Sequence, residues 1–367
     1  MRWWRRSRRG RARRGGSGRS RGATPRAILP RNAQRRRPMP KHTVLISPTH
    51  MDPSYEIERR ELGPDVELRP FSATDPATLG AEARDADAVM VWRMLFPAAA
   101  IEQLRRCKVI VRFGVGYDVV DIIAAREHGI PVCNVPDYCT EEVADHAMAL
   151  LLSLARRIPA LNDAVRQDPT PWSYAAAGPI HRIPGKTLGI VGLGRIGTAV
   201  AMRAKAFGLR VAFHDPYVTD GMDRALGLTR LGLDQLLAES DFISLHTPLS
   251  PETRGMVNDE WLRKVKPGAM LVNTSRGRVL DIDALGRAMR DGRIAAAGLD
   301  VLPQEPPVPE PDLIRAWRAG EAWVQGRLIV TPHASFYSEE SDIDLRVKAA
   351  RTVREVLDGR PPRNRVN

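Results

Sequence analysis

Five polar side chains stand at or near the ends of short apolar runs in the second half of the chain: His246, Arg276, Asp300, Glu305 and His333. Three of them, Arg276, Glu305 and His333, form a set that can do chemistry together. An arginine forks onto a carboxylate and polarises a neighbouring carbonyl oxygen. A histidine moves a proton near neutral pH, and a glutamate beside it favours the imidazolium and holds the ring. Singly, each has a bland explanation: Arg276 as a surface residue, Glu305 as part of the proline-rich loop PQEPPVPEP, His333 as a structural residue after a strand. In this order, and behind a site for a hydride carrier, they are what hydride transfer to a 2-keto acid requires.

The element that would hold such a carrier is the stretch GKTLGIVGLGRIGTAVAMRAKAFGLRVAFHD, Gly185 to Asp215. It reads as a strand, Thr187 to Val191, a glycine turn, a helix, and a second strand, Leu209 to Phe213. Gly192 permits the tight turn, Gly194 lets a pyrophosphate approach the backbone, and Gly197 lets helix and strand pack closely; the helix N-terminus adds free N–H groups and partial positive charge. Asp215 lies about 20 residues past the glycines, where a carboxylate accepts from both ribose hydroxyls of an adenosine and repels a 2′-phosphate. NAD is therefore the expected cofactor, in preference to NADP. The glycine pattern alone is weak evidence; strand, turn, helix, strand and acid in this order are much stronger.

Strands and helices alternate along the rest of the chain, as in parallel α/β domains. Before the nucleotide unit come TVLISPTH, DADAVMVWR and KVIVRFGVGYD, with GIPVCNV (Gly129 to Val135) as the last strand of a small first domain. Its second glycine turn, Arg112-Phe-Gly114-Val-Gly116-Tyr-Asp118, ends a strand and is either an anion-holding run of backbone N–H groups or a plain turn. The helix that follows is expected to be capped by Thr140, to carry Arg156 and Arg157 in its last turn, and to present a wide apolar face through Val143, Ala147, Met148, Leu151, Leu152 and Ala155. Core packing accounts for that face, and so does a subunit interface. Ligands of doubly wound sheets lie outside the carboxyl ends of the strands, so the five polar residues are expected to converge on one crevice.

A length of 367 residues accommodates two domains with proper cores. The net charge of +13 is misleading as a nucleic-acid signal. Residues 1–40 hold fifteen arginines, no lysine and no acid, which leaves −2 for the remainder. The leader, residues 1–41, is expected to be disordered. It reads as a basic arm for nucleic acid or acidic membranes, as a mitochondrial-type targeting segment, or as sequence upstream of a start at Met39; the last is the expectation adopted. An export signal fits least, since no apolar region follows the arginines. Cys107, Cys133 and Cys139 show no metal-ligand spacing, so no metal is expected, and reduced thiols point to the cytoplasm. No run reaches the ~18 apolar residues of a membrane span.

Six motifs in order, RFGVGYDVVD (112–121), EEVADHAMALLL (141–152), GLGRIG (192–197), LVNTSRGRVLD (271–281), GLDVLPQEP (298–306) and TPHASFYSEE (331–340), make the chain resemble the D-isomer-specific 2-hydroxyacid dehydrogenases. Within that family it is similar to the C-terminal-binding-protein branch. The resemblance runs from about residue 43 to the end. It implies a Rossmann NAD-binding domain, 136–333, inserted in a discontinuous flavodoxin-like substrate domain, 42–135 plus 334–367. It further implies Arg276 as the substrate-binding catalytic arginine and His333, paired with Glu305, as the acid/base. Arg195 and Ile196 would lie in the pyrophosphate turn. The loop with His246, Thr247, Pro248 and Thr253 would pass the cofactor, as would Thr274 and Ser275, and Asp300 would lie near the nicotinamide carboxamide. Arg112, Val115 and Gly116 would hold the substrate carboxylate.

The resemblance makes Trp92 and Arg93 candidates for the substrate's far end, and implies a homodimer formed through the NAD-binding domain. Phe336 stands where the branch usually has Trp, which puts the branch's side-chain preference in doubt. The segment 306–327 is longer than in most members and would cover either the cleft or a dimer edge. The implied activity is NAD-dependent oxidation of a D-2-hydroxy acid or reduction of a 2-keto acid. Two other readings stand beside it: an NAD(H)-sensing, peptide-binding, corepressor-like scaffold with little turnover, and nucleic-acid binding through the leader.

Overall fold

Runs such as AVMV, TLGIV and FISL are apolar on both faces, which a strand tolerates only when helices cover both sides of its sheet. In the computed structural model, which describes residues 41–48, 53–71, 75–170 and 172–367, all three are fully buried strands. Apart from Lys41, the leader expected over 1–41 lies outside the described residues.

Two sheets form, and every strand pair in them is parallel. The first contains β1 (His42–Ile46), β2 (Val66–Pro70), β3 (Ala88–Val91), β4 (Ile110–Arg112) and β5 (Val132–Cys133), in the order β2-β1-β3-β4-β5. The second contains β6 (Thr187–Val191), β7 (Arg210–His214), β8 (Thr229–Arg230), β9 (Phe242–Leu245), β10 (Ala269–Asn273), β11 (Ile294–Leu299) and β12 (Leu328–Val330). Its order is β12-β11-β10-β9-β6-β7-β8. Each sheet winds outward in both directions from its first strand, so each has a switch point beside β1 or β6. The architecture is thus two doubly wound parallel α/β lobes.

The chain crosses back after β12. The helix Glu339–Leu357 buries Leu345, Ala349, Ala350 and Val353 against Val44, Ile46, Met90 and Val111 of the first lobe. The last residues close on the edge strand, where Val366 N–H donates to Val132 O at 2.9 Å.

Local expectations needed correction at three places, and a fourth, left open in the sequence, is decided by the structure. The second strand of the nucleotide unit begins at Arg210, because Leu209 N–H is taken by the helix-end carbonyl of Ala204. The run Gly129 to Val135 yields only Val132–Cys133, since Gly129 sits at φ +70° in the turn that closes the preceding helix. Thr140 is the first helical residue of Thr140–Ala155; Cys139 precedes it without a side-chain cap, and Arg156 and Arg157 fall beyond the last turn. The apolar face of this helix is consumed inside the chain. Val143 packs in the first lobe's core and Ala147, Met148, Leu151 and Ala155 in the second's, so the face gives no support to a subunit interface.

The long segment 306–327 does not cover the cleft. Its helix Asp312–Arg318 buries Leu313, Ile314 and Ala316 in the flank of the second lobe, and Trp323 lies under the Arg290 guanidinium at 4.3 Å.

Candidate active site

Residues that follow β3, β4, β5, β9, β10 and β12 line one cavity of about 280 Å³. Arg276, which follows β10, reaches it over a three-residue loop pinned by Asn273, whose side chain donates to Arg276 O and accepts from Ser275 N–H and Oγ. Arg276 Nε donates to Asp118 Oδ1 at 2.8 Å, from the opposite lobe, and Nη1 donates to Ser275 O at 2.9 Å. Burial would raise the Asp118 pKa, but the charge and hydrogen bond of Arg276 outweigh it and hold the carboxyl below its ordinary range. Asp118 was not among the expected site residues. The available signal was its place two residues after Gly116, a carboxylate in a turn that faces an arginine.

His333 follows β12 with a backbone φ of +52°, a left-handed conformation uncommon for a residue with a Cβ. Asp300 enforces it. His333 N–H donates to Asp300 O at 2.7 Å, while the Asp300 carboxylate accepts from Thr331 Oγ1 (2.6 Å), Ala334 N–H (2.9 Å) and Ser335 N–H (3.0 Å). Asp300 is 1% exposed and does not line the cavity. Its burial works against the charge, yet these donors keep its pKa depressed.

The His333 ring lines the cavity, with Nδ1 2.7 Å from Glu305 Oε2. A carboxylate there accepts the Nδ1 proton and leaves Nε2 as the atom that can exchange one with a ligand. Glu305 itself stands behind the ring and outside the lining; its burial is outweighed by the bond and charge of His333, which keep it ionised. The strand-end convergence is therefore partial. His246, Arg276 and His333 reach the cavity, whereas Glu305 and Asp300 support the histidine from behind.

The second glycine turn borders the cavity with Val115 and Gly116, and its glycines also make room for two side chains. A Cβ on Gly114 would fall 1.6 Å from Arg112 Nη1, and one on Gly116 would fall 1.3 Å from Arg276 Nη2. The glycines are there because two guanidinium groups lie across the turn.

A family model described as the D-isomer specific 2-hydroxyacid dehydrogenase NAD binding domain matches residues 148–335. The chain is 39% identical over 273 residues to a glyoxylate reductase of Korarchaeum cryptofilum, covering 74% of this chain and 79% of that protein. The chain belongs to the D-isomer-specific 2-hydroxyacid dehydrogenase family. It is also 38% identical to a D-3-phosphoglycerate dehydrogenase of Mycobacterium bovis, over 81% of this chain and 54% of that protein. Its fold is similar to that of the Aquifex aeolicus D-lactate dehydrogenase solved with NAD and lactic acid, at a TM-score of 0.74 and 30% identity, covering 86% of this chain and 96% of that one. Like its family, the chain is an NAD-dependent oxidoreductase of small 2-hydroxy and 2-keto acids.

The nucleotide turn fits that cofactor. Gly192 takes φ +95° against the backbone of His246, and a Cβ on Gly197 would stand 2.1 Å from Gly192 O. Gly194 has nothing within 4 Å of its Cβ position, and it precedes the twelve-residue helix Arg195–Ala206, whose N-terminus has no side-chain cap. Asp215 holds the turn from below, accepting from Leu193 N–H and Tyr217 N–H, both at 2.8 Å. The hydroxyls of Thr247 and Thr274 are buried without a partner among the described residues, as expected of walls built to meet a polar ligand.

Of the other expected residues, Trp92, Arg112, Val115, Gly116, Ile196, His246, Thr247, Pro248, Thr274, Ser275 and Phe336 line the cavity. Thr253 does not: its hydroxyl closes its own loop on Pro248 O and Ser250 N–H. Burial pushes His246 down to about 4, so its ring is neutral near pH 7. Arg93 joins the lobes by donating to His333 O at 3.1 Å while its guanidinium lies 5.4 Å over the Phe336 ring. Tyr138 and Asn134, which also line the cavity, carried no sequence signal of their own.

Proposed function

We propose that the chain interconverts 2-keto acids and D-2-hydroxy acids through Arg276, His333 and Glu305. The observation that carries this reading is the sharing of one cavity by the Arg276 guanidinium and a His333 ring held on Glu305 at 2.7 Å. NAD, when bound, supplies or accepts the hydride. Arg276 grips the substrate carboxylate and draws charge toward the keto oxygen; its Nε stays on Asp118, which fixes the plane of the fork. His333 gives that oxygen its proton from Nε2 on reduction and takes it back on oxidation, and Glu305 stabilises the imidazolium. Val115 and Gly116 bound the substrate from the first lobe, and Trp92, Arg93 and Phe336 bound its far end.

Gly192, Gly194, Arg195, Ile196 and Gly197 would receive the pyrophosphate, and Asp215 the adenosine ribose. Thr247, Pro248, Thr274, Ser275 and His246 would flank the nicotinamide half. The substrate-binding part would comprise 42–135 plus 334–367 and the NAD-binding part 136–333. A homodimer would form through the latter, where Ile158 and Val165 of the helix Ile158–Gln167 and the following Trp172 and Tyr174 are exposed.

A panel of small 2-keto acids with NADH tests the activity. His333→Ala is expected to lower kcat by about 10²–10⁴-fold with the cofactor affinity unchanged. Full turnover by that variant would overturn the assignment.

A further inference from the structure

The cations at the cavity are not equally provided for. Arg276 has Asp118, His333 has Glu305, and Arg93 donates to a backbone carbonyl. The Arg112 side chain has no hydrogen bond or ion pair among the described residues, and its Nε is buried. The residues beside it in the cavity wall, Trp92, Phe113, Tyr138 and Leu345, belong to the first lobe's apolar core. Burial, and then the charge of Arg276, push the Arg112 guanidinium down to about 10, so it still carries its charge near neutrality. A half-buried cation with no hydrogen bond of its own, helped only by the more distant charge of Asp118, is costly, and a chain that keeps one in a ligand cavity gains when an anion binds. Gly114, at φ +135°, has no Cβ that would push this guanidinium off the turn.

The charge count points the same way. With His333 protonated for reduction, the groups at the cavity are Arg93, Arg112, Arg276 and His333 against Asp118 and Glu305, an excess of two positive charges. A monocarboxylate leaves one of them unmet. Arg112 and Arg276 lie over glycines only two residues apart, a backbone step of about 7 Å at most, which a short diacid can span.

We propose that Arg112 binds a second anionic group on the substrate, so that the natural substrate is a dianion: a 2-keto or 2-hydroxy acid with a carboxylate or phosphate at its other end. This rests on the activity proposed above, with Arg276 taking the carboxylate next to the reacting carbon.

The test compares kcat/KM of the full chain and of Arg112→Gln, with NADH, on pyruvate, oxaloacetate, 2-oxoglutarate and 3-phosphohydroxypyruvate. A charge-assisted hydrogen bond is worth about 10–150-fold. The wild type should prefer at least one dianion to pyruvate by a factor of that order, and Arg112→Gln should collapse the ratio. Which dianion leads separates carboxylate from phosphate. Equal loss on pyruvate and on the dianions would overturn the proposal, because Arg112 would then share the first carboxylate; so would a wild type without dianion preference. If no keto acid is turned over, the reading of the activity fails, and binding decides the rest. Calorimetry of D-malate and D-lactate in the presence of NADH, where neither can react, should show tighter D-malate binding that Arg112→Gln abolishes; equal affinities would overturn the proposal. Thermal unfolding of the variant is expected at or above the wild-type temperature, since no ion pair is lost.

Discussion

The molecule has two glycine turns at the carboxyl ends of strands, and in the sequence they look like variations on one device. Gly192-Leu-Gly194-Arg-Ile-Gly197 follows β6, and Gly114-Val-Gly116 follows β4. In the first, the glycines leave space that the chain does not fill: Gly194 faces nothing within 4 Å. In the second, the space is already occupied by Arg112 and Arg276. A missing Cβ thus leaves open space in one place and makes room for the protein's own side chains in the other. The difference is one of neighbours, since β4's turn faces the opposite lobe across the cleft and β6's turn opens into a helix N-terminus.

Three alanine substitutions test this contrast between the turns. The largest effect is expected from Gly116→Ala, whose Cβ would land 1.3 Å from Arg276 Nη2. The guanidinium is the flexible end of a long side chain, so it should yield and the fold should stay within ~0.5 kcal/mol of wild type. Steady-state kinetics should nevertheless show kcat/KM lower by about 10²–10³-fold, as for loss of a positioned charge donor. An unaltered kcat/KM would mean that Arg276 does not act from where it lies. Gly197→Ala should do the opposite. Its Cβ meets a backbone oxygen at 2.1 Å that cannot step aside, so chemical denaturation should show a loss of roughly 1–3 kcal/mol. Gly194→Ala is expected to be mildest. It should fold normally and weaken NADH by about tenfold, some 1.4 kcal/mol, in a fluorescence titration; a large loss of stability would show that the position is not open.

Much of the site was legible because doubly wound sheets bring strand ends together whatever lies between them. That logic located Arg276 and His333 and the NAD turn correctly as strand-end features, and it extended too far for Asp300. A carboxylate just past β11 looks like a ligand group. Three short hydrogen bonds to the Asp300 carboxylate and one to its backbone carbonyl, all from the loop Thr331–Ser335, instead make it the brace that keeps His333 at φ +52°. The apolar stripe of Thr140–Ala155 left core and subunit interface both open. Periodicity reports that a face is buried but not by what, and here it is sandwiched between the two lobes' cores.

The strand and helix alternation, the parallel fold class, the glycine turn with its acid at Asp215, and the order Arg276, Glu305, His333 are all written in the sequence. These follow from local spacing and hydrophobic period, which are properties of short segments. The tertiary structure is what brings Asp118 to Arg276 across the cleft, sets Glu305 and Asp300 behind the histidine, and leaves the Arg112 side chain without a hydrogen bond or ion pair among the described residues. Those outcomes depend on contacts between residues up to 158 positions apart, such as Arg276 and Asp118, whose meeting is set by how two separately wound sheets face each other. No spacing within one segment records it.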